Sequence, residues 1–94
     1  MKILAIENET ENAEWDNLQD LLKDEAHHVY NLYLSDSLRE IYFTENKNAV
    51  LVLEAADMQA AVKLLDTLPL VKSGKIKFEG MELRPYTGYE RIMK

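Results

Sequence analysis

The chain has no cysteine. Disulfide staples, thiol nucleophiles and cysteine-held metals are therefore excluded, and a reducing cytoplasm is the expected location. Glycine occurs three times and proline twice in 94 residues, so most of the chain is expected to lie in regular elements. No long hydrophobic run is present. The opening Met1–Glu7 carries a single lysine and is broken by an acid, which is too little for a signal peptide or a spanning helix. Positive charge is scarce as well: 11 Lys and Arg stand against 17 Asp and Glu, a formal charge of −6. With no basic run to offset this, a phosphate backbone is repelled and nucleic acid is not an expected partner. There is no Gly-rich phosphate loop and no nucleophile elbow, so nucleotide binding and serine hydrolysis have no support.

What is present is apolar mass arranged with regular periods. Hydrophobic residues make up 47% of the chain, the fraction of a globular protein. One domain covering 1–94 is expected, only modestly stable from its own core. Residues 2–7 alternate, with Lys2, Leu4 and Ile6 on one face and Ile3, Ala5 and Glu7 on the other, a strand covered on both sides. A polar loop follows at 8–12, where Thr10 or Asn12 can cap a helix. At helical spacing Trp15, Leu18, Leu22, Ala26, Val29 and Tyr33 form one stripe, which predicts a helix from about Ala13 to Tyr33. Glu25 falls inside that apolar arc, with His28 beside it at i+3.

Leu38–Thr44 reads as a strand in simple alternation, Arg39, Ile41 and Phe43 on one face and Leu38, Glu40, Tyr42 and Thr44 on the other. A hairpin at Glu45–Asn48 leads into the most apolar strand, Ala49–Glu54, placed centrally. Asp57 is a good N-cap for a helix that buries Met58, Ala61, Leu64, Leu65 and Leu68 and is stopped by Pro69. Leu70 and Val71 form an apolar plug. The last strand, Ile76–Pro85, changes parity: Ile76 and Phe78 share one face, Met81 and Leu83 the other. A bulge at Gly80 reconciles this, and so does a strand whose two ends are covered on opposite faces.

The order β-α-β-β-α-β predicts an α+β, ferredoxin-like sandwich with a four-stranded antiparallel sheet and both helices on one face. The helix-free face is rich in apolar residues, and exposed it is an aggregation hazard. A homodimer through that face removes the hazard. The tail, with Tyr86, Tyr89, Ile92 and Met93, is expected to pack on the partner subunit.

The segment Leu68-Pro69-Leu70, then the strand Ile76–Leu83, then Arg84-Pro85-Tyr86 and an aromatic tail, resembles the muconolactone isomerase branch of the dimeric α+β barrel superfamily. Leu38–Phe43, followed by an apolar strand ending Leu53-Glu54-Ala55, is similar to small uncharacterised bacterial relatives. The resemblance implies a sheet-to-sheet dimer with a pocket between helices and sheet in each subunit. Members of the superfamily isomerise lactones, oxygenate polyketide quinones, degrade haem, or have no known activity.

The candidate catalytic residues are Glu25, His28 and Arg39. A carboxylate beside an imidazole can shuttle a proton, because the histidine titrates near neutrality and the carboxylate fixes its tautomer. Arg39, between apolar neighbours, must be paired or bind an anion such as a carboxylated ligand; Glu82, Glu54 and Glu7 are the alternative partners. Tyr42, Tyr86 and Trp15 are the candidate pocket residues, able to stack on a ring or donate to a ligand oxygen. No metal is expected, since His27 and His28 point about 100° apart on a helix and no cysteine supports them. No cofactor is expected either, His28 being the one haem ligand on offer. Two functions follow: a small-molecule enzyme or binder, isomerase-like and acting on an acidic or aromatic metabolite, or a non-catalytic oligomer in which every polar candidate is a surface or paired group. A cavity under the first helix that holds Arg39 with Glu25 or His28 favours the first; an Arg39 sealed by glutamates with no cavity above it favours the second.

Overall fold

A computed structural model describes residues 1–11, 15 and 18–93. Its elements are β1 (Lys2–Glu9), α1 (Gln19–Leu34), β2 (Leu38–Phe43), β3 (Ala49–Glu54), α2 (Met58–Asp66), α3 (Pro69–Lys72) and β4 (Ile76–Leu83), followed by a 3-10 turn at Gly88–Ile92. The four strands form one antiparallel sheet in the order β2-β3-β1-β4. This is the α+β, ferredoxin-like arrangement that the order of elements predicts. The most apolar strand, β3, is central, as its burial requires.

Residues paired across a sheet point to the same face, so the registers sort the side chains. One face carries Ile3, Ala5 and Glu7 of β1, Ala49, Leu51 and Leu53 of β3, and Ile76 and Phe78 of β4. Helices cover it, and the core of Ile3, Ala5, Leu51, Leu53, Ala61, Leu65 and Leu68 lies between. The opposite face carries Leu4, Ile6, Val50, Val52, Met81 and Leu83, and no helix lies over it among the described residues.

α2 forms where the pattern places it. Asp57 accepts the Ala60 N–H at 2.8 Å, closing the N-terminus, and Ala61 and Leu65 are buried. Pro69 opens α3 at its first position, where its missing N–H costs nothing, and Leu70 is the buried plug. Gly74 follows with φ +80°, a left-handed turn that glycine adopts without a Cβ penalty.

Four expectations change. β1 runs on to Glu9 instead of ending at residue 7. The described part of α1 begins at Gln19, so Trp15 and Leu18 precede it, and the earlier part of the expected helix lies outside the described residues. Thr10 caps no helix among the described residues; its hydroxyl donates to the Gly74 carbonyl at 2.6 Å, tying the end of β1 to the turn before β4. Asn12, the other proposed cap, lies outside the described residues. Finally, β4 has no bulge at Gly80, since its register with β1 is unbroken from Ile76 to Leu83. Its parity change is real: Ile76 and Phe78 face the helices, Met81 and Leu83 the open face. The irregularity sits in β2, between Leu38 and Glu40.

Candidate functional site

The bulge in β2 decides which side chains reach the space under α1. Leu38 pairs with Leu53 and Glu40 with Val52, so β2 spends one extra residue, Arg39, against the same length of β3. Leu38, Ile41 and Phe43 consequently share the helix-covered face, and Glu40 and Tyr42 the open one. Simple alternation predicts a different sorting, with Leu38 separated from Ile41 and Phe43.

α1 does not close down on the sheet. Of its sixteen described residues only Leu32 is buried, and no side chain among the described residues caps its start. It leans chiefly on α3 and β2. The gap it leaves over β1, β2 and β3 is a cavity of about 500 Å³. Apolar walls come from Leu22, Ala26 and Val29 of α1, Ile41 and Phe43 of β2, and Phe78 of β4. Tyr30, Tyr33 and Phe43, each more than half exposed, stand at its edge. An adjoining hollow shares Glu7, Leu22, Phe43 and Leu70 with it and is flanked by Trp15 and Lys47.

Two carboxylates enter this apolar space. Glu7 occupies the third helix-facing position of β1 and is only 9% exposed. Its Oε1 accepts the Ala49 N–H at 3.2 Å, and Asn48 Nδ2 donates to its carbonyl at 3.0 Å. The side chain thus completes the ladder at the point where the pairing of β1 with β3 stops, after Ile6 and Val50. Glu25 reaches across from α1, and its Oε1 accepts the Leu70 N–H at 3.0 Å. That N–H lies in the first turn of α3, where no intrahelical partner exists, so Glu25 acts as a cap supplied by another helix.

Neither carboxylate has a cation as partner among the described residues. The ion pairs present join the N-terminal amine to Glu54 at 2.9 Å and Arg84 to Glu82 at 3.1 Å. Burial pushes the Glu7 carboxyl above its ordinary range, against the pull of the Ala49 hydrogen bond, with Glu9 adding repulsion. Burial also raises Glu25; the Leu70 hydrogen bond and His28 counter it, and the charge on Glu7 raises it further.

The other sequence candidates are scattered. His28 Nε2 lies 2.7 Å from the Thr67 hydroxyl, bridging α1 to the end of α2, and does not line the cavity. Arg39 is exposed at the bulge and pairs with no carboxylate among the described residues. It does not line the cavity, so it does not share a face with Ile41 and Phe43. Tyr42 lies on the open sheet face, donating to Glu40 at 2.9 Å. Tyr86 stacks edge-on against Tyr89 in the exposed tail, ring centres 4.9 Å apart, and folds over Gly88, where a Cβ would meet its ring. Of the six candidates the cavity and its adjoining hollow bring together Glu25 and Trp15, and they add Glu7. The signal for Glu7 is legible in the sequence: it is an acid that follows Ile3 and Ala5 on one face of a strand covered on both sides. Among the described residues no three His, Asp or Glu side chains gather as a metal site, and no helix is long and apolar enough to cross a membrane.

No family model matches this chain, and no curated protein matches it by sequence. Solved structures do match it in fold. Muconolactone isomerase superposes with a TM-score of 0.68 at 17% identity, over 93% of this chain and 94% of that one. The 5-chloro-2-hydroxyhydroquinone dehydrochlorinase TftG of Burkholderia phenoliruptrix AC1100, solved with 2,5-dihydroxybenzoquinone, superposes at 0.63 with 15% identity, over 94% of this chain and 98% of that one. Over nearly its whole length, this chain shares the α+β fold of these two solved structures.

Proposed function

We propose that the chain is a small-molecule enzyme that moves a proton on a ring compound bound in the cavity under α1, with Glu25 as the base. The observation that carries this reading is a half-buried carboxylate, raised above its ordinary pKa by that burial, on the wall of an apolar cavity of about 500 Å³. A carboxylate in such surroundings is a stronger base than in water, and the volume suits a small ligand. Glu25 takes a proton from a carbon beside a carbonyl, the C–H electron pair moves into the enolate, and the proton returns at another position of the same ligand. The fold neighbours support the substrate class, since their names and bound ligand are those of a lactone isomerase and a hydroxyquinol enzyme. An acidic substrate fits less well, because among the described residues the cavity walls carry two carboxylates and no cation.

α-Angelica lactone, a neutral unsaturated lactone, tests the reading. Deuterium uptake from D2O at its ring carbons, followed by proton NMR, is expected to exceed the buffer rate. Glu25→Gln keeps the acceptor for the Leu70 N–H and is expected to slow uptake at least about a hundredfold. Uptake no faster than buffer for lactones and cyclic enones alike overturns it. The non-catalytic reading then stands, favoured by the fact that both carboxylates already hold a backbone N–H.

The reading includes a second copy as partner and the cytoplasm as location. Leu4, Ile6, Val50, Val52, Met81 and Leu83 share the helix-free face, and a matching sheet covers it. Sedimentation is expected to give a dimer or larger assembly, reduced to monomer by Leu4→Lys; a wild-type monomer at tens of micromolar refutes the partner.

A further inference from the structure

We infer that Tyr33 donates its phenol hydroxyl to the carbonyl oxygen of the ring ligand and holds that oxygen as it becomes an enolate, while Glu25 carries the proton. The assignment rests on the proposed function and adds to it a second catalytic group and the direction in which the ligand lies.

An enolate needs a donor at its oxygen, and the cavity walls offer few. Tyr30 and Tyr33 bring the only hydroxyls among the described lining residues; the other lining side chains are apolar or carboxylates. An ionised carboxylate accepts hydrogen bonds and donates none. The N–H groups of Ala49 and Leu70, two further lining residues, are already given to Glu7 and Glu25. The phenols are uncommitted by comparison. Tyr42 gives its hydroxyl to Glu40 at 2.9 Å, whereas among the described residues the Tyr30 and Tyr33 hydroxyls have no hydrogen-bond partner.

Helix geometry chooses between the two. Glu25, Val29 and Tyr33 follow one another at four-residue intervals along α1, and all three line the cavity. Residues so spaced form one row on a helix surface. Tyr30 stands about 140° round the helix from Glu25, Tyr33 only about 80°. Along the axis Tyr33 lies about 12 Å from Glu25, room for one ring with a hydrogen-bonding contact at each end. The row therefore offers a base, an apolar surface for the ring, and a donor. Tyr33 is 57% exposed, so the carbonyl end of the ligand points to the mouth of the cavity and the proton is moved deeper in.

The step balances without a further reactant. Glu25 removes the proton from a carbon beside the carbonyl, the C–H pair becomes a ring C=C bond, and the carbonyl π pair moves onto oxygen. Tyr33 keeps its proton, and its hydrogen bond strengthens as charge arrives at that oxygen. When Glu25 returns the proton to another carbon, the pair moves back. A donor of this kind favours the transition state over the bound ligand.

Tyr33→Phe removes the hydroxyl and keeps the ring. Its kcat for α-angelica lactone exchange is expected to fall about tenfold or more with KM changed less than about threefold, a smaller loss than in a sealed oxyanion site because Tyr33 is half in water. Tyr30→Phe is expected to stay within about twofold of wild type on the same grounds. A second readout needs no turnover: the infrared carbonyl stretch of carbon-13-labelled 2-cyclohexen-1-one is expected at lower frequency on the wild type than on Tyr33→Phe. Wild-type exchange together with an unmoved carbonyl band in Tyr33→Phe overturns the assignment and leaves Glu25 as base intact. A loss confined to Tyr30→Phe overturns it too. If the wild type shows no exchange, the proposed base falls; a carbonyl band that still shifts in Tyr33→Phe keeps Tyr33 as the anchor of the ligand oxygen, and one that does not, or an enone that does not bind, overturns both.

Discussion

The two ends of the helix layer sit on the same sheet face and are built differently. α2 has nine residues, a side-chain N-cap from Asp57 and two fully packed positions, Ala61 and Leu65. α1 has sixteen described residues, one of them buried, and no side-chain cap among the described residues. Length does not predict which helix closes on the sheet; the shorter, more strongly amphipathic one does. The α2 end stacks its apolar residues at helical spacing over the Ile3 and Leu53 end of the sheet, without an acid in the arc. The α1 end interrupts its stripe with Glu25 and faces Glu7, so two desolvated carboxylates replace what would be packing. The cavity lies where the sequence puts charge on both facing surfaces.

Truncation should separate the two ends most strongly. Leu65→Ala, at a site 5% exposed, is expected to cost about 2–5 kcal/mol in urea unfolding. Leu22→Ala, in the cavity wall and 46% exposed, is expected to cost under about 1 kcal/mol. Equal losses would mean that α1 is seated as firmly as α2, and that the space beneath it closes in solution.

A smaller effect sharpens the electrostatic half of the comparison. Glu7 and Glu25 are both raised above the ordinary value of 4.5. Between that value and their folded-state values the native protein binds more protons than the unfolded chain. Their contribution is therefore fully present below the ordinary value and is lost as pH rises through the raised ones. Glu54, lowered by the N-terminal amine, works in the opposite sense, its contribution lost as pH falls. The wild-type stability curve minus that of the Glu7→Gln, Glu25→Gln double variant isolates the first pair and should decline as pH rises over that window. A flat difference would indicate that burial leaves the two carboxyls unaltered in the native state.

Much of the fold is legible in the residues. The order of elements, the Asp57 cap, the Pro69 stop and the central Ala49–Glu54 strand follow from local periodicity and turn chemistry, which act over a few positions. The site is less legible. Glu25 is visible as an acid out of place on an apolar stripe, and Glu7 is visible in the same way, but their meeting depends on how far α1 stands from the sheet, a tertiary quantity. His28 shows the limit of the method: its i+3 spacing from Glu25 is real, yet its ring goes to Thr67 on α2. Arg39 fails for a different reason. Period-two alternation assigns it to the wall holding Ile41 and Phe43, and the bulge cancels that assignment. Nothing in Leu38-Arg39-Glu40 announces a bulge, since neither glycine nor proline marks it.

The bulge behaves like one extra letter inserted into a message and then skipped by the reader. Strike out Arg39, and Leu38, Glu40, Ile41, Tyr42 and Phe43 alternate strictly between cavity and open face, each where it already lies. The edge strand therefore carries a residue that its ladder does not need, looped out beside β3 at the rim of the sheet. Such a position can be lost or exchanged without re-sorting any wall of the cavity, so the chemistry within and the residue at position 39 are free to change independently.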